Sequence, residues 1–510
     1  ISPQDTEFTA SYVIFTDGST YYAQNGTSGL IDFSGTNASW VINQAIQNMP
    51  DSGGKITLKD LDVTVKEEIT LKSNVTIEGI NTVIKKCNEI STTLVSTALA
   101  GNNTIDVIDA TGFTIGDEIY IKKTDNIWNS EFAYIVGISG NTITLDRTLS
   151  YDHSAGELVI NDFPIIHVPN NAHNVLIRGL ILDGNRAGRS NATDGRCALI
   201  FADKNGVSDV YVENCITQNH LNTGIVSAVD ENMQILSCVI DNCGGNGGID
   251  CGDATTNVRI ENCEIKNCEQ AGIYFCLESD NIVVAFNNIH DNYDGIKIGK
   301  GHENMKITYN SIYDNTNAGI LFTTASGYYN ENISISGNKI RNNKYGIYMN
   351  EYNKNIKIIG NDITGSSSYG IMKACTYYTL ILGNYFEGNT NDLRLGLTTY
   401  QTRNTYVYNN IFTGTVSLIN TTDYVFKDNI GYVTEATGSY EITGDGTNTS
   451  FTISHGLATT PSQVLITPTN SSMASATYWV SAKDATTFTI TFSSAPASGT
   501  KLSFDWYAKV

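Results

Sequence analysis

Between residues 210 and 415 one short motif is written nine times: VYVENCITQN (210–219), MQILSCVIDN (233–242), VRIENCEIKN (258–267), IVVAFNNIHDN (282–292), MKITYNSIYDN (305–315), ISISGNKIRNN (333–343), IKIIGNDITGS (356–366), TLILGNYFEGN (379–389) and TYVYNNIFTGT (405–415). Each copy is a short β-like run followed by a polar turn. The equivalent positions Cys215, Cys238, Cys263, Asn287, Asn310, Asn338, Asn361, Asn384 and Asn409 set a period of 23 to 28 residues. A second register follows the turns, where Gly248, Gly272, Gly295, Gly319, Gly346 and Gly370 each precede an isoleucine. Every repeat therefore holds at least two strands, and a unit this short cannot bury its apolar face alone.

Stacking solves that problem if each coil lays its strands in register on the coil before. A leucine-rich repeat would need a Leu-x-x-Leu-x-Leu pattern and a helix in a similar length, and neither is present. Alternation is present instead: Ile249-Asp250-Cys251 and Ile347-Tyr348-Met349 send every second side chain inward. The Asn and Cys positions are expected to stack at one buried turn, where an Asn amide bonds its neighbours above and below. The expected fold class is all-β, a right-handed parallel β-helix.

Composition narrows the function without choosing it. With 510 residues and 41% hydrophobics, the chain can bury a long core in two or three modules. A formal charge of -21, from 52 acidic against 31 basic residues, argues against a nucleic-acid partner. No apolar run approaches a membrane span and no leader is visible at Ile1. Abundant Asn, Thr, Ser, Gly and Tyr fit a secreted or virion-surface protein. Of the ten cysteines, eight fall between Cys197 and Cys276 at coil spacing, which reads as a stack of buried thiols, with Cys243–Cys268 as the pairing if one forms.

In chain order, residues 8–33 read as a hairpin with turns at Asp17-Gly18 and Asn25-Gly26. Ser39 caps an expected helix over Trp40–Asn48 whose stripe of Val41, Ile42, Ala45 and Ile46 plugs the open end of the solenoid. The segments are 1–100 (hairpin, helix and first coils), 101–160 (a small β insertion off the coil period), 161–435 (the β-helix) and 440–510 (a β-sandwich). In the last, Tyr478, Trp479, Trp506 and Tyr507 either bind carbohydrate or fill the core.

The capping helix, the run GGKITL and the later LKSNVTIEG together resemble the opening of the pectate-lyase-like superfamily of right-handed β-helices. That resemblance covers residues 38–430 and implies the fold. It also implies a choice among polysaccharide lyases, polygalacturonase-type hydrolases, epimerases and virus tailspikes. The hydrolases' Asn-x-Asp, Asp-Asp, Gly-His-Gly and Arg-x-Lys motifs do not recur in order. The chain offers Asp250-Cys-Gly-Asp253, Gly295-Ile296-Lys297 and Gly301-His302-Glu303, and no Asp-Pro-His-Glu motif of the alginate epimerases. His302 reads as a turn residue.

Chemistry is expected on the outward ladder just after the repeated glycines: Val226, Asp250, Tyr274, Lys297, Leu321, Tyr348 and Met372. Asp250, with Asp253 or Glu278 as partner, supplies the protonated and ionised carboxyls of a glycoside hydrolase. Asp183, Arg186, Asp194, Arg196, His220, Tyr274, Asp294 and Tyr348 are expected to bind substrate along the same face. The hydrolase needs no cofactor. The competing reading is a calcium-dependent lyase on a uronic-acid polymer, with Lys297 as base and Asp250, Asp294 and Glu278 around Ca2+. A third is a non-catalytic glycan-binding spike, and the sequence leaves monomer or homotrimer open. In each reading the partner is a polysaccharide.

Overall fold

The structure, a computed structural model, describes residues 10–510 except 253, 324–326, 351, 375, 397–402 and 420–421. Each coil carries three parallel strands. In one coil they are Glu231–Leu236, Val239–Cys243 and Gly247–Cys251; in the next, Thr256–Glu261, Glu264–Lys266 and Ala271–Leu277. The coils stack in register, with Ile235 opposite Ile260, Ile240 opposite Ile265 and Ile249 opposite Ile273. These isoleucines are fully buried and belong to one continuous core running from Tyr12 to Phe426. The third strands form a 12-stranded sheet, while the first and second strands join with the N-terminal hairpin into a 26-stranded one.

Between the first and second strands runs the expected ladder. The Asn287 backbone N–H donates to Asn310 Oδ1 at 2.9 Å, Asn310 to Asn338 at 2.9 Å, Asn338 to Asn361 at 2.9 Å and Asn361 to Asn384 at 2.9 Å. The next rung is Asn410, not Asn409: Asn384 N–H bonds Asn410 Oδ1 at 2.9 Å. Asn409 instead takes the left-handed turn position, φ 54°, which Asn214, Asn262 and Tyr309 fill in earlier coils. Above Asn287 the sulfurs of Cys215, Cys238 and Cys263 occupy the same turn. Cys263 Sγ lies 3.5 Å from the Ile235 carbonyl, doing weakly what Asn287 Nδ2 does at 2.8 Å from Ile260 O. The nine described cysteines are free thiols, so Cys243 and Cys268 are not bridged.

Two further ladders, not anticipated, close the other turns. Cys268, Asn292, Asn315 and Asn343 link the second turn. In the third, Ser279 N–H donates to His302 Nδ1 at 3.1 Å and His302 N–H to Asn330 Oδ1 at 2.9 Å. His302 is thus a buried turn residue.

At the N-terminus Tyr12–Thr16 pairs antiparallel with Tyr21–Asn25 and parallel with Gly54–Lys59, so the hairpin extends the sheet. The capping helix is Ala38–Gln47, and its cap is Asn37 rather than Ser39: Asn37 Oδ1 accepts from Trp40 N–H at 3.3 Å, and the Ser39 hydroxyl donates to the same oxygen at 2.9 Å. The stripe Val41, Ile42, Ala45 and Ile46 does face the core. The insertion begins earlier than residue 101, since Ser91–Thr93 pairs with Leu158–Ile160 in a six-stranded antiparallel sheet with its own core. It joins the second strand of one coil, within Val75–Lys86, to that coil's third strand, Ile166–Val168. The C-terminal module starts at Glu435, whose strand to Thr443 pairs along its length with Lys501–Lys509. Two three-stranded sheets enclose Phe488, Phe504 and Trp506, with Tyr478 packed alongside and Trp479 exposed.

Asn338 shows what the ladder is worth. Its Oδ1 accepts from Asn310 N–H and Nδ2, and its Nδ2 donates to Ile307 O and Asn361 Oδ1. Alanine there strands several groups in a dry interior, at about 1–3 kcal/mol each. Urea unfolding of Asn338→Ala should show a loss of about 3–5 kcal/mol, and Asn338→Cys, which restores the thiol used at Cys263, should lose less.

Candidate functional site

The outer face of the third sheet carries one side chain per coil: Thr70, His167, Phe201, Val226, Asp250, Tyr274, Lys297, Leu321, Tyr348, Met372, Arg394 and Ser417. At about 4.8 Å per coil this makes a track roughly 50 Å long. Midway, Lys297 Nζ sits 4.8 Å from the centre of the Tyr274 ring, a cation–π contact. Asp250 Oδ2 accepts from Asn246 Nδ2 at 2.9 Å. Asp294 is buried at the strand edge, accepting from Asn317 Nδ2 at 2.8 Å and Ala318 N–H at 3.1 Å, and burial pushes its carboxyl up. Further along, Tyr348 packs on Tyr345 at 5.0 Å, Tyr345 stacks on Tyr369 at 6.3 Å, and Arg394 covers Tyr369 at 5.6 Å.

Other expected residues lie elsewhere. Glu278 is exposed in the turn after the strand, four positions beyond Tyr274 and so about 13 Å along the chain from that rung. Glu278 thus lies off the straight track on which Asp250 stands. Asp253 lies outside the described residues. Asp183 receives Asn185 N–H, Gln218 and Asn219, and Arg186 donates to the His220 carbonyl at 3.0 Å and pairs with Glu269. Both serve the edge between the second and third strands. Among the described residues no three His, Cys, Asp or Glu side chains are placed to hold a metal ion, so Asp250, Asp294 and Glu278 do not form a calcium cage.

His220 is in the interior, not on the face. Its Nε2 lies 3.2 Å from Lys86 Nζ and its Nδ1 3.2 Å from the Thr223 carbonyl. The carbonyl takes the Nδ1 proton, leaving Nε2 to accept from the lysine. Burial and the charge of Lys86 hold His220 well below its usual value. Lys86 also donates to Asp162 at 2.7 Å and to the Cys197 carbonyl at 2.8 Å, and Arg189 reaches Asp162 at 3.1 Å. Burial raises the Asp162 carboxyl, but the two cations outweigh it and the net shift is downward.

This buried network anchors two long connections, residues 87–165 and 184–199, that leave the solenoid at the same edge. Tyr120 OH of the insertion donates to Asp194 Oδ2 at 2.7 Å. Arg196 pairs with Asp194 at 2.8 Å, donates to the Ser130 and Ile127 carbonyls at 3.1 and 3.0 Å, and covers the Phe132 ring at 5.4 Å. Asp194 and Arg196 thus hold the insertion over the upstream end of the track. Beneath it opens a cleft of about 270 Å³ lined by Glu68, Glu118, Phe132, Tyr134, Arg147, Pro164, His167, Arg196, Phe201 and Asp203.

At its floor His167 is clamped between two carboxylates, Nδ1 2.9 Å from Glu68 Oε2 and Nε2 3.2 Å from Asp203 Oδ2, with its ring stacked on Phe201. Burial opposes its charge, but the bonds and charges of Asp203 and Glu68 prevail and push it up to about 10. Glu118 Oε2 accepts the Glu68 backbone N–H at 2.9 Å. Burial, reinforced by the charge of Glu68, raises the Glu118 carboxyl well above its ordinary value. Burial and the same two glutamates raise the Tyr134 phenol. One cleft therefore holds a carboxyl biased to stay protonated, an imidazolium and two carboxylates.

Glu68, Glu118, Tyr134, Arg147, His167 and Asp203 were missed by the repeat pattern. Paired positions there are 100 residues apart, as Leu176 opposite Thr76, because the insertion intervenes. The usable signal was Ile166-His167-Val168, which has the same in-out-in alternation as Ile249-Asp250-Cys251.

The His167 clamp gives stability a pH signature. Its folded value, about 10, lies above its ordinary 6.5. The contribution is therefore complete below about 6.5 and disappears as pH rises through 10. The unfolding free energy of the wild type, read from urea unfolding, should fall across that window by about 5 kcal/mol, and His167→Gln should flatten that part of the profile.

Residues 165–332 match the family model described as the right handed beta helix region, and residues 326–449 the one described as periplasmic copper-binding protein (NosD). The described residues offer copper no cluster of the ligands above. No curated protein matches the sequence significantly. Among solved structures, the A-module of Azotobacter vinelandii mannuronan C-5 epimerase AlgE4 aligns with a TM-score of 0.53 at 16% identity, covering 77% of this chain and 94% of that one. The AlgE6 A-module gives 0.52 at 16% identity, over 77% and 93%. Tailspike gp49 of Pseudomonas phage LKA1 gives 0.45 at 15% identity, over 91% and 92%. The chain is a right-handed parallel β-helix protein.

Proposed function

We propose that this chain is an extracellular, endo-acting glycoside hydrolase that lays a polysaccharide along the third sheet and cuts it in the cleft beneath the insertion. The observation that carries the reading is the split of carboxyls within one cleft: Glu118 biased to keep its proton, Glu68 and Asp203 joined through His167. Glycosidic cleavage needs such a division, an acid for the leaving oxygen and a carboxylate for water or the anomeric carbon.

Glu118 takes the acid's role: its Oε2 is held by the Glu68 N–H, which leaves Oε1 to carry a proton. Asp203 takes the carboxylate's role: His167 and the Asn170 N–H both hold Oδ2, which leaves Oδ1 for water. His167 is a positioning residue whose two nitrogens are engaged by carboxylates. Downstream, Asp250, Tyr274, Lys297 and Tyr348 contact the chain of sugars, with Tyr274 and Tyr348 offering ring faces. Lys297 lies over the Tyr274 ring on the open track, a placement that suits contact with the polymer, and the lyase comes second.

The test is release of reducing ends from a panel of neutral and uronic polysaccharides, with the ultraviolet absorbance of unsaturated products followed in parallel. Reducing ends without absorbance are expected. Glu118→Gln and Asp203→Asn should each reduce kcat by about 100-fold or more, whereas Tyr348→Ala should mainly raise KM. Absorbance that appears with cleavage would make the enzyme a lyase, and inertness across the panel would leave a glycan-binding spike.

A further inference from the structure

A second groove lies on a different face. It measures about 850 Å³ and runs across the first strands of successive coils, far in sequence from the insertion. Its floor is an outward ladder in which Val283, Lys306, Ser334, Lys357, Leu380 and Tyr406 follow one another coil by coil. Along one side runs a row of amides, Asn281, Asn304, Asn332 and Asn355, each in the left-handed conformation, φ 51° to 59°. Tyr378, 51% exposed, and Tyr406, 37% exposed, stand at the downstream end.

Charge makes this groove unusual. In a chain of net charge -21, Lys306 and Lys357 are both exposed on the groove floor, and among the described residues neither has an ion pair. One rung separates them, so their backbones are about 9.6 Å apart. The carboxylates beside the groove are already taken: Glu331 pairs with Lys354 at 2.9 Å and accepts from Asn355, and Asp280 accepts from Asn304 at 2.8 Å. Glu303 stands at the rim. The floor therefore presents two ammonium groups, the side a row of amides and the end two phenol rings.

We propose that this groove is a second, non-catalytic binding site for an acidic glycan chain. The lysines meet carboxylate or sulfate groups on alternate rungs, the amides meet hydroxyls, and Tyr378 and Tyr406 cover sugar faces. A straight row of evenly spaced donors suits a ligand that is itself a linear repeat. The site shares no residue with the cleft, and its occupant holds the protein on a charged polymer while the third sheet remains open.

The test is titration of the full chain with an oligogalacturonate, a sulfated glycan and a neutral dextran of matched length, at low and high salt. The wild type should bind at least one of the acidic chains, more weakly as salt rises, and should not bind dextran here. The double variant Lys306→Gln/Lys357→Gln should weaken that binding about tenfold or more with an unchanged unfolding midpoint, because both side chains are exposed. Glu118→Gln should bind as the wild type does, so that failure of the hydrolase reading and failure of this one are separate results. Equal affinity in the double variant, or no binding of either acidic chain, overturns the proposal. So does a wild-type oligomer, seen by sedimentation, that the lysine substitutions dissolve, since the groove would then hold a second copy.

Discussion

The structure depends on one interaction: a buried side-chain amide that bonds both the coil above and the coil below. A tight turn inside a solenoid leaves backbone N–H and C=O groups that neither water nor a sheet partner can reach. Asn310 answers both needs at once, its Oδ1 taking the Asn287 N–H and its Nδ2 reaching the Val284 carbonyl and Asn338. The residue before each rung must then take a left-handed conformation, as Tyr309 and Asn214 do. Few residues tolerate it, and the local cost is repaid only because every rung serves its neighbours. Cysteine fills the same position upstream because a thiol is also donor and acceptor, though a weaker one.

Fixing the turns in this way fixes the faces. Once register is locked, outward residues of successive third strands have no freedom in where they stand, and His167, Asp250 and Arg394 become rungs of one straight track. A straight track cannot by itself converge on a reacting atom, because neighbours along it remain about 4.8 Å apart and parallel. Convergence needs a second surface, which the insertion provides. Glu118 comes from it and His167 from the track. The buried ions at the junction carry the cost of joining them. Removing one partner from Lys86, Asp162 and Arg189 would leave an uncompensated charge in the core, a loss of about 3–5 kcal/mol. Such a network is a poor source of stability, but it discriminates strongly against misdocked arrangements of the two loops.

The same division explains what could be read from the sequence. The β-helix, its capping helix and the ladder from Val226 to Met372 follow from periodicity, and periodicity is local: a residue's face depends on its own repeat. The rung at Asn410 was displaced by one because two asparagines stand side by side there, and only backbone conformation separates the turn residue from the ladder residue. The cleft was not legible in that way. Glu68 and His167 lie 99 residues apart with the insertion between them, and Glu118 belongs to a segment whose pattern contains no reference to the coils. His220 misled for the opposite reason: it follows a second strand where later coils place Cys243 and Cys268, so its rung is interior.

The acidic composition of the chain, 52 acidic residues against 31 basic, is not itself a catalytic resource. Most carboxylates on the coils are spent holding turns, as Asp183 and Asp280 do with neighbouring asparagine amides. A carboxylate used like this serves the backbone and its neighbours, however many of them there are. Glu118 differs because it is dry and faces another glutamate, and those two conditions rather than abundance change what a carboxyl can do. Glu118 is dry because the insertion that carries it folds back over the sheet, whereas rungs such as Lys297 and Tyr348 stay partly open to water. The chemistry of this fold is therefore expected under its longest connections, and its coils supply the straight edges along which a polymer can lie.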